Sequence, residues 1–466
     1  MAAAFFASAQ PGCVPDSFTY GTGGSSSSAG GGSPGVCGNG EVDGDEECDL
    51  GLQNGDDQVD VSLDDTEASR GCSSSCKHLV QWSTVVGGSA IDRLSTLYGV
   101  AASRDAVFVG GVVHTNPLDL QAIRFSGRRL YAELRPSDGE DVEVVVDRDL
   151  DGQGVEVDGN AIFAMRIGGE PNEVYALESV HQTGVRLVSY VRLRRSGTTV
   201  WDSPAVAAPE YSYAALGEPD GLGRVLALGP DFANTPVLHR VAPDGQSTEV
   251  EDAAIPVGWT GAGPAAVTPV AGTGAVVAWQ DYVARLGAEG QGVVFSTDLG
   301  SELGFELDVT GVCALGASRY ALSGRALVDG GYDGVVVLVD DQLDVLDHEL
   351  FDGEAGGADS FAAIACDTDG TVVVVGEEST LENASADPLR TTHSRVVTRR
   401  YAVSAGGELS PRWTRTYRSP VAAQDVLVAE NDGYAITIDP DGYVYVAGRK
   451  QVSQTRSSAW VRKYAP

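Results

Sequence analysis

The residues best suited to chemistry in this sequence lie in one acidic loop, DRDLDGQGVEVD, at positions 147 to 158. Its oxygen-bearing residues follow the ligand order of an EF-hand-like calcium loop, with carboxylates or carbonyls at loop positions 1, 3, 5, 7 and 12. They are Asp147, Asp149, Asp151, Gln153 and Asp158. This spacing of hard oxygen donors predicts a structural calcium ion. A plain acidic loop is the competing interpretation, because position 12 is Asp rather than Glu and helical flanks are absent.

Cysteines form the second candidate group, and four of the seven are clustered in a glycine-rich acidic stretch. The seven are Cys13, Cys37, Cys48, Cys72, Cys76, Cys313 and Cys366. The segment 37–77 lacks apolar periodicity and cannot bury a core, so disulfides must stabilise it. Zinc is the alternative, but the spacing C-x10-C-x23-C-x3-C lacks the paired C-x2-C knuckles of common zinc ribbons. The spacing leaves the disulfide connectivity open.

Motifs for catalysis are weak. The six histidines, His78, His114, His181, His239, His348 and His393, are scattered and none is joined by a motif to a nucleophile. Outside the Gly/Ser-rich residues 21–36, the chain has no G-x-S-x-G, and it has no H-E-x-x-H or phosphate loop. We therefore expect a protein that is not an enzyme. The alternative is an extracellular hydrolase or lyase that uses carboxylates at a channel mouth.

Charge restricts the partners. The formal net charge is −35, from 66 acidic and 31 basic side chains, and such a surface repels nucleic acid and anionic lipid headgroups. No run of eighteen apolar residues exists, so we expect no transmembrane span. Disulfides require an oxidising compartment, which predicts an extracellular or outer-membrane surface location.

The N-terminal residues fit that location in part. Residues 1–20 contain the apolar segment AAAFFASA and resemble a signal or lipoprotein-like segment, with Cys13 after Gly12 as the candidate site of lipidation. No Lys or Arg precedes Arg70, so the charged region of a signal peptide is missing. Residues 21–36 are rich in Gly and Ser and should form a flexible linker. A lipid anchor followed by a tether would display the rest of the chain on a surface.

Residues 78–466 contain a weakly conserved internal repeat, and this repeat predicts the fold. Seven apolar strands flanked by turn residues recur as AVFVGGVV, EVYALESV, RVLALGP, AVVAWQD, RYALSGRA, TVVVVGEE and YVYVAGRK. A short apolar strand precedes each, and a third strand that usually carries arginine follows; in the first unit we assign IRF at Ile123 as third and SGRRLY as outer strand. Four short strands per unit predict an all-β chain, a single seven-bladed β-propeller with a small disulfide-rich N-terminal module.

The two ends of the repeat region predict how the ring closes. The last unit stops after its third strand, whereas the segment 79–88, LVQWSTVVGG, resembles an outer strand standing alone before the first unit. Pairing the two would remove exposed strand edges.

Two further cysteines test this alignment. Cys313 and Cys366 lie in the first strands of the fifth and sixth units, one position out of register. Because side chains alternate across a strand, the odd offset points the two thiols at each other across neighbouring blades. It predicts an inter-blade disulfide; the alternative is two small buried apolar side chains.

Two parts of the chain resemble known families. The CGNG opening at Cys37, the E-x-CD-x-G centre around Cys48 and the GC-S-x-x-C close ending at Cys76 resemble the myxobacterial cysteine-rich repeat, although the middle is longer and more acidic. The last unit, DPDGYVYVAGR with AWVRKY, is similar to bacterial SBBP and NHL-like propeller repeats. These resemblances imply an extracellular structural module and a binding platform. We accordingly expect a monomeric surface scaffold for a protein or glycan partner.

Overall fold

The structure is a computed structural model that describes most of the repeat region and a few residues of the cysteine module. The described residues are 42, 47–48, 71–72, 76, 78–86, 95–114, 127–147, 161–168, 170, 172–181, 187–195, 198–202, 206–207, 215–230, 236–244, 247–252, 265–270, 272–288, 292–353, 357–367, 369–379, 394–417, 431–453 and 456–466. Cys13, Cys37, the linker 21–36 and four of the five calcium-loop positions, Asp149, Asp151, Gln153 and Asp158, lie outside them.

Seven antiparallel sheets, one per repeat, form the blades. Blade 1 consists of β2 (Ser95–Ala102), β3 (Val107–His114), β4 (Gly127–Leu134) and β5 (Asp141–Asp147). Blade 2 consists of β6 (Ala161–Ile167), β7 (Glu173–His181) and β8 (Leu187–Arg195), with β9 (Thr198–Asp202) and β10 (Val206–Ala207) both on β8. Blade 3 consists of β11 (Ala215–Pro219), β12 (Val225–Pro230), β13 (Pro236–Val241) and β14 (Ser247–Asp252).

The remaining blades repeat this order. Blade 4 consists of β15 (Ala265–Pro269), β16 (Ala275–Trp279), β17 (Tyr282–Leu286) and β18 (Val293–Asp298), followed by the short helix α1 (Leu299–Leu303). Blade 5 consists of β19 (Glu306–Ala314), β20 (Arg319–Val328), β21 (Gly331–Asp340) and β22 (Val345–Phe351). Blade 6 consists of β23 (Ser360–Cys366), β24 (Thr371–Ser379), β25 (Ser394–Val403) and β26 (Leu409–Tyr417). Blade 7 consists of β27 (Asn431–Ile438), β28 (Val444–Ser453), β29 (Arg456–Tyr464) and β1 (Val80–Val85).

This pairing confirms the seven-bladed all-β fold. Each of the seven apolar repeats forms the second strand of its blade. Apolar side chains from facing sheets meet between neighbouring blades, and each of the seven junctions has its own buried cluster. Within the described ranges, no helix is long and apolar enough to cross a bilayer.

The assignment of strands in the first unit was wrong. The segment assigned as the outer strand belongs to β4, which pairs with β3 on one side and β5 on the other. Its residues Leu130, Tyr131 and Ala132 are buried, because a third strand is covered on both faces. The outer strand is β5, whose Val142 is exposed, as one face of a blade edge must be.

Both ends of the chain contribute to blade 7. Strand β1 pairs with β29, with Val80 opposite Tyr464 and Val85 opposite Trp460. The backbone of Ala465 then donates to the carbonyl of Leu79 at 2.9 Å. The strand before the first repeat therefore supplies the missing outer strand, as its position in the sequence predicts.

Trp82 ties the closing strand to blade 1 as well. Its Nε1 donates to the carbonyl of Pro136 at 2.9 Å, and the Nζ of Lys463 donates to the same oxygen at 3.0 Å. The indole also covers Gly139, where φ is +73° and an added Cβ would lie 2.6 Å from the ring. Only glycine fits this turn, so the backbone can approach the indole.

The cysteine module contacts the start of the closing strand. Cys48 and Cys72 form a disulfide with an S–S distance of 2.12 Å, and Cys76 is also disulfide-bonded. Cys72 forms a β-bridge with His78, two residues before β1. The Glu47 carboxylate accepts hydrogen bonds from the His78 backbone and from Gln81, at 3.2 and 3.1 Å. The covalent module thus holds the strand on which ring closure depends.

A second disulfide joins two blades. Cys313 of β19 and Cys366 of β23 are bonded, with their Cα atoms 5.7 Å apart. Cys313 pairs with Ala321 and Cys366 with Val372, so the two thiols sit at positions offset by one residue and point at each other from neighbouring sheets. The odd offset in the sequence predicts this geometry.

We predict that Trp82→Ala lowers the free energy of unfolding by about 3–5 kcal/mol, because it leaves a cavity at the closing junction. Trp82→Phe keeps most of the ring contact and loses the hydrogen bond to Pro136, which is worth about 1 kcal/mol. Urea unfolding of the two variants and the parent measures both losses. Equal stability of the parent and Trp82→Ala would show that closure does not depend on this residue.

Candidate functional site

The seven inner strands surround one central cavity, which is the candidate binding site. It holds about 160 Å³ of space, and its walls take residues from every inner strand. Most of them are small or aliphatic, such as Val100, Ala164, Leu216 and Ile364. Among the described wall residues the one charged side chain is Arg166. The lining side chains are thus mostly apolar, but the accessible wall presents more polar than apolar surface, so the cavity is a site of mixed polarity at the axis of the ring.

Bulges in the inner strands place particular side chains in this cavity. In blades 1, 2, 5, 6 and 7 the pairing between first and second strands slips by one residue, as in a β-bulge. The extra residues, hereafter the bulge residues, are Tyr98, Phe163, Thr310, Ala362 and Tyr434. All five line the cavity. A bulge re-aims a side chain, so each of these blades presents one additional residue to the axis.

Recurrent glycines in the second strands make room for the bulges. An added Cβ at Gly111, Gly324, Gly376 or Gly448 would lie 1.9–2.0 Å from a carbonyl oxygen of the inner strand. The four carbonyls belong to Thr96, Asp308, Ser360 and Asp432, each two residues before a bulge residue. No other residue fits at that distance, which explains why glycine recurs at this position of the repeat.

Three bulge residues of consecutive blades form an aromatic arc, defined as Tyr434, Tyr98 and Phe163. The ring centroid of Tyr98 lies 5.2 Å from that of Tyr434 and 5.8 Å from that of Phe163. The Tyr434 hydroxyl donates to the Asp432 carboxylate at 2.7 Å. Burial, followed by the Asp432 charge, raises the pKa of Tyr434 well above its ordinary value, so this phenol stays a neutral donor.

Several polar groups of the cavity wall already have partners within the protein. The Thr310 hydroxyl donates to the Phe361 carbonyl at 2.6 Å. Arg166 donates from Nη1 to the Met165 carbonyl at 2.8 Å and forms an ion pair with Glu218 at 3.0 Å. These side-chain groups are therefore committed within the protein, while the accessible wall still offers a guest more polar than apolar surface.

The two ends of the cavity differ. At the entrance face, defined as the side where inner strands begin and second strands end, lie the connections between blades and between second and third strands. The opposite side, the turn face, carries tight turns in which carboxylates accept backbone hydrogen bonds, as Asp220 does from Leu222 and Arg224. Asp439 does the same from Asp441 and Tyr443.

Of the five predicted calcium residues, the structure describes Asp147 alone. Asp147 ends β5 at the entrance face, and Asp149, Asp151, Gln153 and Asp158 lie outside the described residues. In the described part of the chain, no group of three or more His, Cys, Asp or Glu side chains is placed to hold a metal ion. The calcium ion stays a prediction.

A buried carboxylate pair lies at the entrance side of blade 6. Asp359 and Glu378 are each 1% exposed. Asp359 accepts from the backbone of Gly353 and Ser379, at 2.5 and 2.9 Å, and Arg395 donates twice to Glu378, both at 2.7 Å. Burial, opposed by these backbone bonds and aided by the Glu378 charge, raises the pKa of Asp359 to about 6. A raised pKa is typical of catalytic acids, but neither carboxylate reaches solvent.

Sequence reasoning missed the bulge residues, although a signal exists. In the middle of these inner strands each bulge residue precedes a small one: Tyr98-Gly99, Phe163-Ala164, Thr310-Gly311, Ala362-Ala363 and Tyr434-Ala435. The small residue packs against the next blade, and an added Cβ at Gly99 would lie 2.9 Å from Met165.

The strand pairing defines the class of protein as a seven-bladed β-propeller. No family model and no curated protein matches the chain. Among solved structures, it is similar to Sqt1 from Chaetomium thermophilum, with 11% identity over 80% of this chain and 97% of that chain, at a TM-score of 0.41.

Two further solved structures are equally distant. Hydrazine synthase of Kuenenia stuttgartiensis has 13% identity over 62% of this chain and 76% of its own, at a TM-score of 0.41. BamB from Moraxella catarrhalis has 14% identity over 78% and 85%, at a TM-score of 0.38. Likenesses this distant carry no argument about function, so the fold rests on the strand pairing of the chain itself. The two family resemblances stay predictions.

We predict that Gly448→Ala destabilises the protein by about 1–3 kcal/mol, because its Cβ would overlap the Asp432 carbonyl and push the Tyr434 bulge out of place. Gly406→Ala is the matched control, since the nearest atom to its Cβ would be 3.6 Å away, and it should stay within about 0.5 kcal/mol of the parent. Urea unfolding compares them, and equal losses would contradict the steric argument.

The raised pKa of Asp359 predicts a specific pH dependence. A carboxyl that binds its proton more tightly when folded costs stability as pH rises from about 4 to 6, and this cost is absent below its ordinary pKa of 3.8. Relative to Asp359→Asn, the parent should therefore gain up to about 3 kcal/mol between pH 7 and pH 4. Asp105→Asn, at an exposed site, should run parallel to the parent in the same melts. A constant gap between parent and Asp359→Asn would refute the shift.

Proposed function

We propose that this propeller is a non-catalytic binding platform that holds a protein partner at its entrance face, over the mouth of the central cavity. The observation that carries the proposal is the central cavity, which every inner strand helps to line and where the wall groups Thr310, Tyr434 and Arg166 already have partners within the protein. Concave sites at which several elements of the fold converge, and which combine apolar side chains with placed polar groups, are the usual form of binding sites.

The catalytic alternative lacks a converging set of groups in the described residues. A hydrolase would need an acid and a base within reach of one substrate bond. Among the described residues of the cavity wall, the charged one is Arg166. The carboxylates of Asp359 and Glu378 are buried, so a substrate in the cavity would not reach them. Binding therefore explains the site better than hydrolysis.

We place the protein outside the cytoplasm, at an extracellular or outer-membrane surface. The disulfides Cys48–Cys72 and Cys313–Cys366 support this proposal, because such bonds persist in oxidising compartments. The net charge of −35 suits a soluble surface with little affinity for nucleic acid. A lipid anchor at Cys13 and structural calcium at the loop from Asp147 belong to the same proposal.

Binding of the fluorescently labelled full chain to intact cells of the producing organism tests this function. We expect saturable binding that unlabelled chain displaces and that protease treatment of the cells removes. Ala362→Tyr adds to the cavity wall the side chain that blades 1 and 7 carry at the same position, and it should weaken binding at least fivefold. Leu222→Tyr places the same side chain on the turn face and should change nothing.

Three results would count against the proposal. If treatment of the cells with glycosidase removed binding and treatment with protease did not, the partner would be a glycan rather than a protein. Absence of saturable binding would remove the platform. Release of reducing sugars or peptides from the cells by the purified chain would establish the catalytic alternative.

A further inference from the structure

We infer that the central cavity binds one neutral pyranose ring, with one face of the sugar against the aromatic arc and its hydroxyl groups on the backbone edges of the inner strands. This inference rests on the proposed function only for the source of the sugar, a glycan chain carried by the protein partner. Three observations carry it: the origin of the polar wall surface, the difference between the two sides of the wall, and the balance of charge in the cavity.

Backbone groups supply much of the polar surface of the cavity. Of the twenty described residues in its wall, four have polar side-chain atoms, and three of these, Thr310, Tyr434 and Arg166, already have partners within the protein. The other sixteen are glycines or have apolar side chains, so their polar surface consists of main-chain N–H and C=O groups. Because the accessible wall is more polar than apolar, a guest meets main-chain donors and acceptors.

The topology of the propeller explains this accessible backbone. Each of the seven inner strands lies at the end of its sheet and pairs with one second strand in the described part of the chain. The other edge of the inner strand therefore faces the axis with its N–H and C=O groups. An apolar guest would cover these groups and leave them unpaired, which is costly. A guest with several hydroxyl groups satisfies them, since each hydroxyl both donates and accepts.

The two sides of the cavity wall differ. The aromatic arc lies on blades 7, 1 and 2, whereas the opposite blades contribute small side chains, among them Ala215, Ala265, Thr310 and Ala362. Small side chains leave the backbone edges behind them accessible to a guest. A pyranose has a matching division, because its C–H groups form an apolar face and its hydroxyl groups project from the rim. The C–H groups carry partial positive charge, which suits the negative faces of aromatic rings.

The volume of the cavity suits a single six-membered ring. The cavity holds about 160 Å³, similar to an engineered cavity of about 150 Å³ that binds benzene in another protein. A pyranose is a ring of the same number of atoms with hydroxyl substituents. A glycan chain would therefore place its terminal sugar in the cavity and leave the rest of the chain at the entrance face.

The charges in the wall favour a neutral sugar. Arg166 is the charged residue among the described wall residues, and its guanidinium forms an ion pair with the Glu218 carboxylate at 3.0 Å. An anionic guest would compete with Glu218 and would be repelled by a chain of net charge −35. A cationic guest would meet the guanidinium of Arg166 in the same small space. An uncharged pyranose avoids both costs.

Titration of the full chain with small sugars tests the inference. Saturation-transfer NMR would compare the methyl α-glycosides of D-glucose, D-mannose and D-galactose with two charged analogues, glucuronate and glucosamine. Cyclohexanol serves as a six-membered ring with a single hydroxyl group. We expect at least one methyl glycoside to bind about tenfold more tightly than the charged analogues and cyclohexanol, because it alone pairs the backbone groups without bringing a charge.

Two variants test the two sides of the wall. Phe163→Leu keeps an apolar side chain and removes one aromatic face, so the affinity for the best methyl glycoside should fall about fivefold. Ala362→Tyr covers the backbone on the opposite side and should abolish binding. Leu222→Tyr, at an exposed residue of the turn face, is the matched control and should leave the affinity unchanged. If Ala362→Tyr fails to fold, Phe163→Leu still decides, because an unchanged affinity would overturn the packing of the sugar on the arc.

Binding to cells distinguishes the two sources of the sugar. If a glycan on the partner carries it, both protease and glycosidase treatment of the cells should remove binding of the labelled chain, and the best methyl glycoside should displace the chain. If that glycoside binds the chain but does not displace it from cells, the ligand is a free monosaccharide. The second result would keep the sugar site and overturn the glycan on the partner as its source.

Failure of this inference and failure of the proposed function give different results. If no methyl glycoside binds, or if cyclohexanol or a charged analogue binds as tightly, the neutral sugar site is wrong. The platform then stands as long as the labelled chain still binds cells through a protein. If a methyl glycoside binds and the labelled chain does not bind cells, the sugar site stands and the platform is wrong.

Discussion

The pairing of β1 with β29 is the constraint on which the rest of this structure depends. Each blade packs only against its two neighbours, so the ring is as secure as its final junction. That junction is built from the two ends of the chain, with Val80 opposite Tyr464, and Trp82 adds a bond to Pro136 of blade 1. The disulfide Cys48–Cys72 lies just before the closing strand. The cavity at the axis exists only while this junction holds.

Much of the fold follows from local chemistry and was predictable. Second strands are covered on both faces and therefore appear as continuous apolar runs, the strongest signal in a worn repeat. Arginine in the third strand was a weaker guide to the fold. It identifies the strand, but it does not show which side chains of that strand face which neighbouring blade. Arg240 donates to Thr273 in the following blade, whereas Arg462 lies over Tyr417 in the preceding one. In blade 1 the arginine signal led to the wrong strand.

The candidate site was less predictable, because a bulge is a property of two paired strands. Tyr434 enters the cavity only because Gly448, on the neighbouring strand, lets the Asp432 carbonyl approach. The glycine and the tyrosine are each visible in the sequence, but their relation depends on the register. The pKa of Asp359 depends in the same way on distant residues that cover it. For Cys313 and Cys366 the one-residue offset between their positions in the repeat was enough to predict the disulfide. Side-chain alternation along a strand alone decides whether the two thiols point at each other.

Closure and binding are also coupled by position. Tyr98 belongs to the first blade and Tyr434 to the last, and their rings lie 5.2 Å apart. The aromatic arc therefore joins inner strands from opposite ends of the chain, next to the junction that β1 seals. A guest that requires the intact arc binds only the closed ring, so mass action makes it stabilise closure in proportion to the logarithm of its concentration. The same interaction that creates the site is then strengthened by whatever occupies it.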